Sequence, residues 1–269
     1  MTAINTNVGA LLARTNARAA DSRTENHMRR LSSGLRVNSA SDDAAGLAVA
    51  NKLQSQLTGI NMGIRNSKDA MSLLETADAG LTTAVNIVQR MRELAVQMAN
   101  DIYTNDDRTN ADVEYDALSA QLTAISSNTT FNTDAILDGS FTGTMRIGNA
   151  AAEVMTIAID TAGVMVSTTT VTISTQAEAI ATAAALDTAI NSLSNAQADV
   201  GSYINRLQFN VDNLSRASVV AEKTRGVIMD ADYARETSEL AKQQILSQAA
   251  TSMLAQANQS KQSVLALLQ

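Results

Sequence analysis

Between residues 186 and 221, apolar side chains recur at alternating steps of four and three. The seam reads Leu186, Ile190, Leu193, Gln197, Val200, Ile204, Leu207, Val211, Leu214, Ser218 and Ala221, with Gln197 and Ser218 its polar members. Such a seam is a heptad repeat, and it needs a helical partner to bury it. The chain supplies one between about residues 60 and 102. That seam reads Ile60, Ile64, Ser67, Met71, Leu74, Asp78, Leu81, Val85 and Val88, then Ala95, Ala99 and Ile102. A third, shorter helix is expected from Ala111, Tyr115, Leu118, Leu122 and Ile125. The chain has no proline in 269 residues, where ordinary usage of about 5% would place roughly a dozen. Proline breaks helix interiors, so its absence fits long unbroken helices. With aromatics at 3% and no Trp, Ala, Leu, Ile and Val must do the packing, as in thin bundles. The expected fold class is mainly α: an elongated antiparallel helical bundle or coiled coil.

Both ends carry further amphipathic stripes. One runs through Ile4, Val8, Leu11 and Leu12, the other through Leu246, Ala250, Met253, Ala257, Val264, Leu267 and Leu268. Termini are usually frayed and polar. These apolar ends are expected to bury themselves against each other or against another molecule. Two breaks separate them from the central seams. In the first, Gly34, Ser39 and Ser41 interrupt the pattern, and Asp42 and Asp43 stand where a new helix would begin, suited to its unpaired N–H groups. The second is the charged run at 230–239, where Asp230 and Asp232 receive the same reading. From Thr130 to about Thr175 the chain changes character. Met155, Ile157 and Ile159 alternate with polar or small residues at strand period, as do Val164 with Val166 and Val171 with Ile173. A small inserted β-hairpin region is expected there, too small to be an independent domain.

Chemistry is scarce. There is no Cys, hence no disulfide or thiolate metal site. His27 is the one histidine; it excludes motifs that need two, and it is expected to be an exposed helical residue. No nucleophile is paired with a base, and no glycine-rich loop cradles phosphate, so neither catalysis nor a cofactor is expected. The net charge of −7 argues against nucleic acid, although Arg14, Arg18, Arg23, Arg29, Arg30 and Arg36 cluster locally with Asp21 and Glu25. That cluster is expected to be a charged helix face meeting an acidic partner surface. No run approaches the roughly 20 apolar residues of a membrane span. Asn5, Thr6 and Asn7 interrupt the apolar residues that a signal peptide would need. A protein of this kind working outside the cell is expected to leave without a cleaved signal.

Four stretches carry a family resemblance: LSSGLRVNSASDDAAGLAVANKL at 31–53, QRMRELAVQMAN at 89–100, FNTDAILDG at 131–139, and DADYARETSELAKQQILSQAATSMLAQANQSKQSVLALL at 230–268. Together they resemble bacterial flagellin over roughly residues 1–140 and 180–269. The resemblance implies a structural subunit that polymerises into the helical flagellar filament used for swimming. It implies a terminal coiled-coil domain of residues 1–43 with 231–269, forming the inner filament core. A helical rod domain of 44–140 with 176–230 follows, with 141–175 as its β-hairpin insertion and no separate outer domain. Ile4, Val8, Leu11, Leu12, Leu246, Met253, Val264 and Leu267 would be subunit-packing seams. Ile60, Ile64, Met71, Leu74, Leu81, Val85, Leu186, Ile190, Leu193, Val200, Ile204, Leu207, Val211 and Leu214 would form the rod core.

Further implied are type III export, a chaperone on about residues 230–269, and filament-cap and hook-junction partners. Recognition by a host Toll-like receptor through Arg90, Leu94 and Glu114 is also implied. The family often has Lys where Ser41 stands, Gly where Thr133 stands and Pro near Lys261. A hook–filament junction protein shares similar ends, but the dense C-terminal match to DADYA and LAQANQ favours flagellin. A surface binding module is the other alternative, and the short middle leaves it little room.

Overall fold

A computed structural model of the chain describes residues 6–139, 141–150, 152–160 and 171–266. In chain order the elements are α1 (Val8–Ser33), α2 (Ala44–Met98), α3 (Asn105–Asn128), β1 (Thr130–Phe131), β2 (Asp134–Ala135), β3 (Thr142–Arg146), β4 (Val154–Ala158), α4 (Gln176–Met229) and α5 (Tyr233–Ala266). The fold is mainly α, with two small antiparallel strand pairs among the described residues, β1–β2 and β3–β4. Two compact units divide the chain: Met1–Ser55 with Val220–Gln269, and Gln56–Val219. Ile4, Val164, Val166, Leu267 and Leu268 lie outside the described residues, and of Val264 only the helical backbone is described. No described helix is long and apolar enough to cross a membrane.

In the unit Gln56–Val219, α2 and α4 run antiparallel. Arg92 Nε meets Asp187 Oδ1 at 2.5 Å, Gln197 Nε2 donates to Thr82 Oγ1 at 3.1 Å, and Asn210 Nδ2 donates to Ser67 Oγ at 3.3 Å. The buried stripe of α2 runs through Ala70, Leu74, Ala77, Leu81, Ala84, Val88, Met91, Ala95 and Met98. That of α4 runs through Leu186, Ala189, Leu193, Ala196, Val200, Leu207 and Val211. The heptad period is present, yet several alternate positions are one residue away from the expected seam, although Val211 is buried where expected. Ala77 and Ala84 are buried rather than Asp78 and Val85, and Ala189 and Ala196 rather than Ile190 and Gln197. Alanine lets two helices approach closely, and the larger neighbours Met71, Val85, Ile190 and Ile204 fill the flanks, partly buried against the core. Ile60, Ile64 and Leu214 are likewise only half-buried, and Asp78 is exposed.

Ile102 does not extend the α2 seam; it is 77% exposed in the loop beyond Met98. The helix stops there because Arg108 caps it. Buried within α3, the Arg108 guanidinium donates to Met98 O at 2.9 Å and Asn100 O at 3.0 Å. It thus satisfies carbonyls at a helix end that favours positive charge. A Thr104–Asp107 capping box starts α3, and Tyr115 and Leu122 anchor that helix in the core.

Strand β4 turns Met155 and Ile157 inward, and Ile159 follows them into the core, as their alternation predicts. Val171 and Ile173 alternate without forming a described strand. Side-chain hydrogen bonds hold that segment instead: Ile173 N donates to Asp112 Oδ1 at 3.0 Å, and Thr182 Oγ1 donates to Thr172 O at 2.9 Å. The turn after β3 lies on α2. A Cβ added at Gly63 would sit 3.1 Å from both Gly148 Cα and Ile147 O, so the close backbone approach favours glycine and a larger residue would push the turn outward by a few tenths of an ångström. Asn210 also donates to Ile147 O at 2.8 Å, tying the turn to α4.

Candidate functional site

The unit formed by the chain's two ends is a second antiparallel helix pair, α1 with α5. Asn7 caps α1, its Oδ1 accepting from Ala10 N at 3.0 Å, while its Nδ2 donates to Ala257 O on α5 at 3.1 Å. Midway, Ser247 Oγ donates to Asp21 Oδ1 at 2.7 Å. At the far end His27 Nδ1 meets Glu236 Oε2 at 2.5 Å, and Arg30 Nη1 donates to the other carboxylate oxygen at 3.4 Å. His27 is therefore half-buried, not the exposed residue expected, because it lies against the partner helix's buried acid. Burial of the Glu236 carboxyl acts to raise its pKa. The His27 hydrogen bond, the His27 and Arg30 charges and the Arg30 hydrogen bond outweigh that and hold it below the usual glutamate range.

The loop between α1 and α2 is fastened to the same place. Gly34 closes α1 with φ +70°, and its carbonyl accepts from Ala231 N at 2.9 Å. Arg36 N donates to Met229 O at 2.7 Å and its guanidinium to Ile228 O at 2.6 Å. Asp43 Oδ1 accepts from Gly46 N at 2.8 Å, starting α2, and Asp232 Oδ1 accepts from Ala234 N and Arg235 N, starting α5. Asp42 closes the loop on itself. Hydrogen bonds from Asn38 N and then from Ser39 hold its carboxyl below the usual aspartate range. Of the arginine cluster, Arg30 is absorbed into ion pairs within the chain, whereas Arg14, Arg18 and Arg23 form none among the described residues.

The pair is joined by polar bonds and buries little apolar surface. The buried residues of α1 are Ala13 and Ala20. On α5, among the described side chains, they are Glu236 and Gln243. Val8, Leu11, Leu12, Leu246 and Met253, all expected as packing seams, are between 44% and 64% exposed. Between the helices lies an open groove of about 610 Å³, whose lining includes Leu12, Ala13, Ala20, Gln243, Leu246 and Met253. These five residues, expected to pack, are thus largely uncovered in the single chain.

Elsewhere, Arg90 and Glu114 are exposed and paired, at 2.8 Å and 3.0 Å, with Glu93 a further Arg90 partner at 3.1 Å. Leu94, expected beside them as a receptor contact, is 4% exposed and belongs to the core. Its side chain offers a partner no surface, because α2 turns that position onto the core cluster. Sequence reasoning missed the His27–Glu236 pair, Arg108 and Gln243. Only the antiparallel register of α1 and α5 would have pointed to the first, since those residues lie 209 positions apart.

Comparison with known proteins completes the description of the site. The family model for the bacterial flagellin N-terminal helical region matches residues 4–142, and that for the bacterial flagellin C-terminal helical region matches residues 182–268. A flagellin of Halalkalibacterium halodurans is 35% identical over 269 residues, spanning 98% of this chain and 99% of that protein. The flagellar filament 33 kDa core protein of Treponema phagedenis is 36% identical, with the same coverage of 98% and 99%. A crystal structure of Bacillus cereus flagellin matches with a TM-score of 0.52 at 36% identity, over 56% of this chain and 88% of that one. The structure of a putative flagellar hook-associated protein from Vibrio parahaemolyticus shares the fold, with a TM-score of 0.57 at 16% identity over 70% of this chain and 99% of that one.

Proposed function

The chain belongs to the bacterial flagellin family, and from that premise we propose that it assembles by covering the α1–α5 groove with neighbouring copies. A flagellin is a structural protein rather than an enzyme, and this one is a subunit of the extracellular flagellar filament. The observation that carries the assembly reading is the exposed row Val8, Leu11, Leu12, Leu246 and Met253 beside a groove floored by alanines. Helix stability in proteins comes mostly from burying an apolar face. A pair that buries two alanines on α1 needs further cover, so the ends order fully on docking. A contact between unlike surfaces that does not close on itself generates an open helical filament. In this reading residues 1–43 with 231–269 form the inner core of the polymer, and 44–140 with 176–230 form its rod, with 141–175 inserted in it.

The test is substitution of Leu12→Glu together with Met253→Glu, followed by sedimentation and electron microscopy. Loss of filaments is expected, and normal filaments from the double variant would refute the reading. The same uncovered α5 face suits an export chaperone before assembly, and cap and hook-junction proteins at the filament's ends. Export through the flagellar type III apparatus, without a cleaved signal peptide, belongs to the same proposal.

A second reading, recognition by a host Toll-like receptor, is favoured by the exposed Arg90–Glu114 pair across α2 and α3. Leu94 takes no part in it as the chain stands. In a receptor-reporter assay Arg90→Ala should lower the response about tenfold, as loss of a charged contact implies; an unchanged response removes the reading.

A further inference from the structure

We infer that Met253 is an oxidation site that turns off assembly of the free chain, an inference that rests on the α1–α5 groove being an assembly surface. Among the described residues three methionines are exposed: Met28 at 48%, Met62 at 44% and Met253 at 63%. Met91, Met98 and Met155 are buried in the core, and Met71 and Met145 pack partly buried against it. Of the exposed three, Met253 is the one that lines the groove, with Leu12, Leu246 and Ala250. A thioether so exposed meets dissolved oxidants directly, and it stands on the apolar rim that neighbouring copies would cover.

The co-reactant is a peroxide, hydrogen peroxide being the simplest. The Met253 sulfur attacks one peroxide oxygen, an S–O bond forms and the O–O bond breaks. Sulfur is oxidised by two electrons, and the departing hydroxide takes the proton of the transferred hydroxyl and leaves as water. The product is a sulfoxide, which replaces an apolar sulfur with a polar, chiral one. In the free chain water solvates the new oxygen, so the subunit's own fold is not disturbed. Docking has to strip that water away on a rim shared with Leu12 and Leu246, and burying an acceptor without an equivalent partner is unfavourable. A chain already in a filament has this rim covered, so the reaction selects unassembled chains. Methionine sulfoxide reductases, one for each epimer, reverse it. The sulfoxide oxygen leaves as water while a dithiol is oxidised to a disulfide.

The experiment treats the full-length free chain with hydrogen peroxide, maps oxidation by peptide mass spectrometry and measures the critical concentration for filament growth. Met253 should be oxidised in the free chain and protected in preformed filaments. The oxidised free chain should melt at an unchanged temperature. Its critical concentration should rise at least about tenfold, the loss expected of burying one unpaired acceptor. Met253→Leu, which nearly keeps the volume and removes the sulfur, should grow normally before and after peroxide. Met28→Leu with Met62→Leu should remain sensitive. Incubating the oxidised wild-type chain with both reductases and a dithiol should restore growth, and this decides the matter if Met253→Leu itself assembles poorly. Met253 left reduced in the free chain, an unchanged critical concentration after its oxidation, equal loss of growth in peroxide-treated Met253→Leu, or no rescue by the reductases would overturn the inference. So would a lower melting temperature of the oxidised free chain, which would make Met253 a residue of the subunit's own fold. The Leu12→Glu and Met253→Glu double variant separates the two levels. If it assembles normally, the groove is not the interface and both readings fall. If it fails while the oxidised wild-type chain grows unchanged, only the role of Met253 falls.

Discussion

Thr133 stands at a backbone position made for glycine. The β1–β2 connection is two residues long, and both carry positive φ, Asn132 at 51° and Thr133 at 77°. Tight hairpins favour that conformation with Asn followed by Gly. Asparagine is suited to its place, but a β-branched side chain in the left-handed region is strained by roughly 1–2 kcal/mol. Thr133→Gly removes that strain and adds back part of the chain entropy that glycine loses on folding. The net expectation is stabilisation of the unit Gln56–Val219 by about 0.5–1 kcal/mol, read from chemical denaturation. No gain would mean that the turn relaxes around threonine. This position was legible in the sequence, since the family often has glycine there. Arg108 was not legible. An arginine near a helix start reads as solvated, and nothing in the periodicity shows that its guanidinium reaches the carbonyls of Met98 and Asn100.

At the scale of elements the heptads revealed which helices pair, but not which residues meet. Positions such as Leu74, Leu81, Leu186 and Leu193 are fully buried. Several alternate positions were misassigned because a large residue stands beside a small one: Val85 beside Ala84, Ile190 beside Ala189. Hydrophobicity ranks the larger residue first, while close helix approach places the smaller one at the centre. Strand β4 was legible from Met155 and Ile157, because period two is unambiguous over that run. The α1–α5 contact was legible as a pairing of apolar ends, but its bonds are polar and lie between residues remote in sequence. Those bonds carry a pH dependence. Glu236 is held ionised to lower pH in the folded chain than in the unfolded one, so its contribution is complete above the ordinary glutamate value, about 4.3. It is lost as pH falls through the lower folded value. Filaments should therefore melt at progressively lower temperature below about pH 4.3. Glu236→Gln should flatten that part of the curve, measured by light scattering during heating. An acid slope unchanged in Glu236→Gln would assign the loss to other carboxylates.

For the whole molecule, the sequence stretches that resemble flagellin and the heptads that specify helices are different signals, and they agree. The first identified the family, whose members' names supply the filament. The second predicted a mainly helical chain from the absence of proline and the alternating steps of three and four. What neither could provide was exposure. That Leu12 and Met253 stand uncovered, that Leu94 is buried, and that Gln243 lacks a donor are properties of packing, and packing appears only once the register between distant helices is set.

The bond from Asn7 to Ala257 spans 250 positions. During translation at 5–20 residues per second, the first helix waits roughly 10–50 s for the strip of chain that will hold it. Throughout that interval α1 has no α5 to pair with, and afterwards a single pair of helices still leaves its apolar rim uncovered. A chain so arranged forms this helix pair late, because the contact joins residues so distant in sequence.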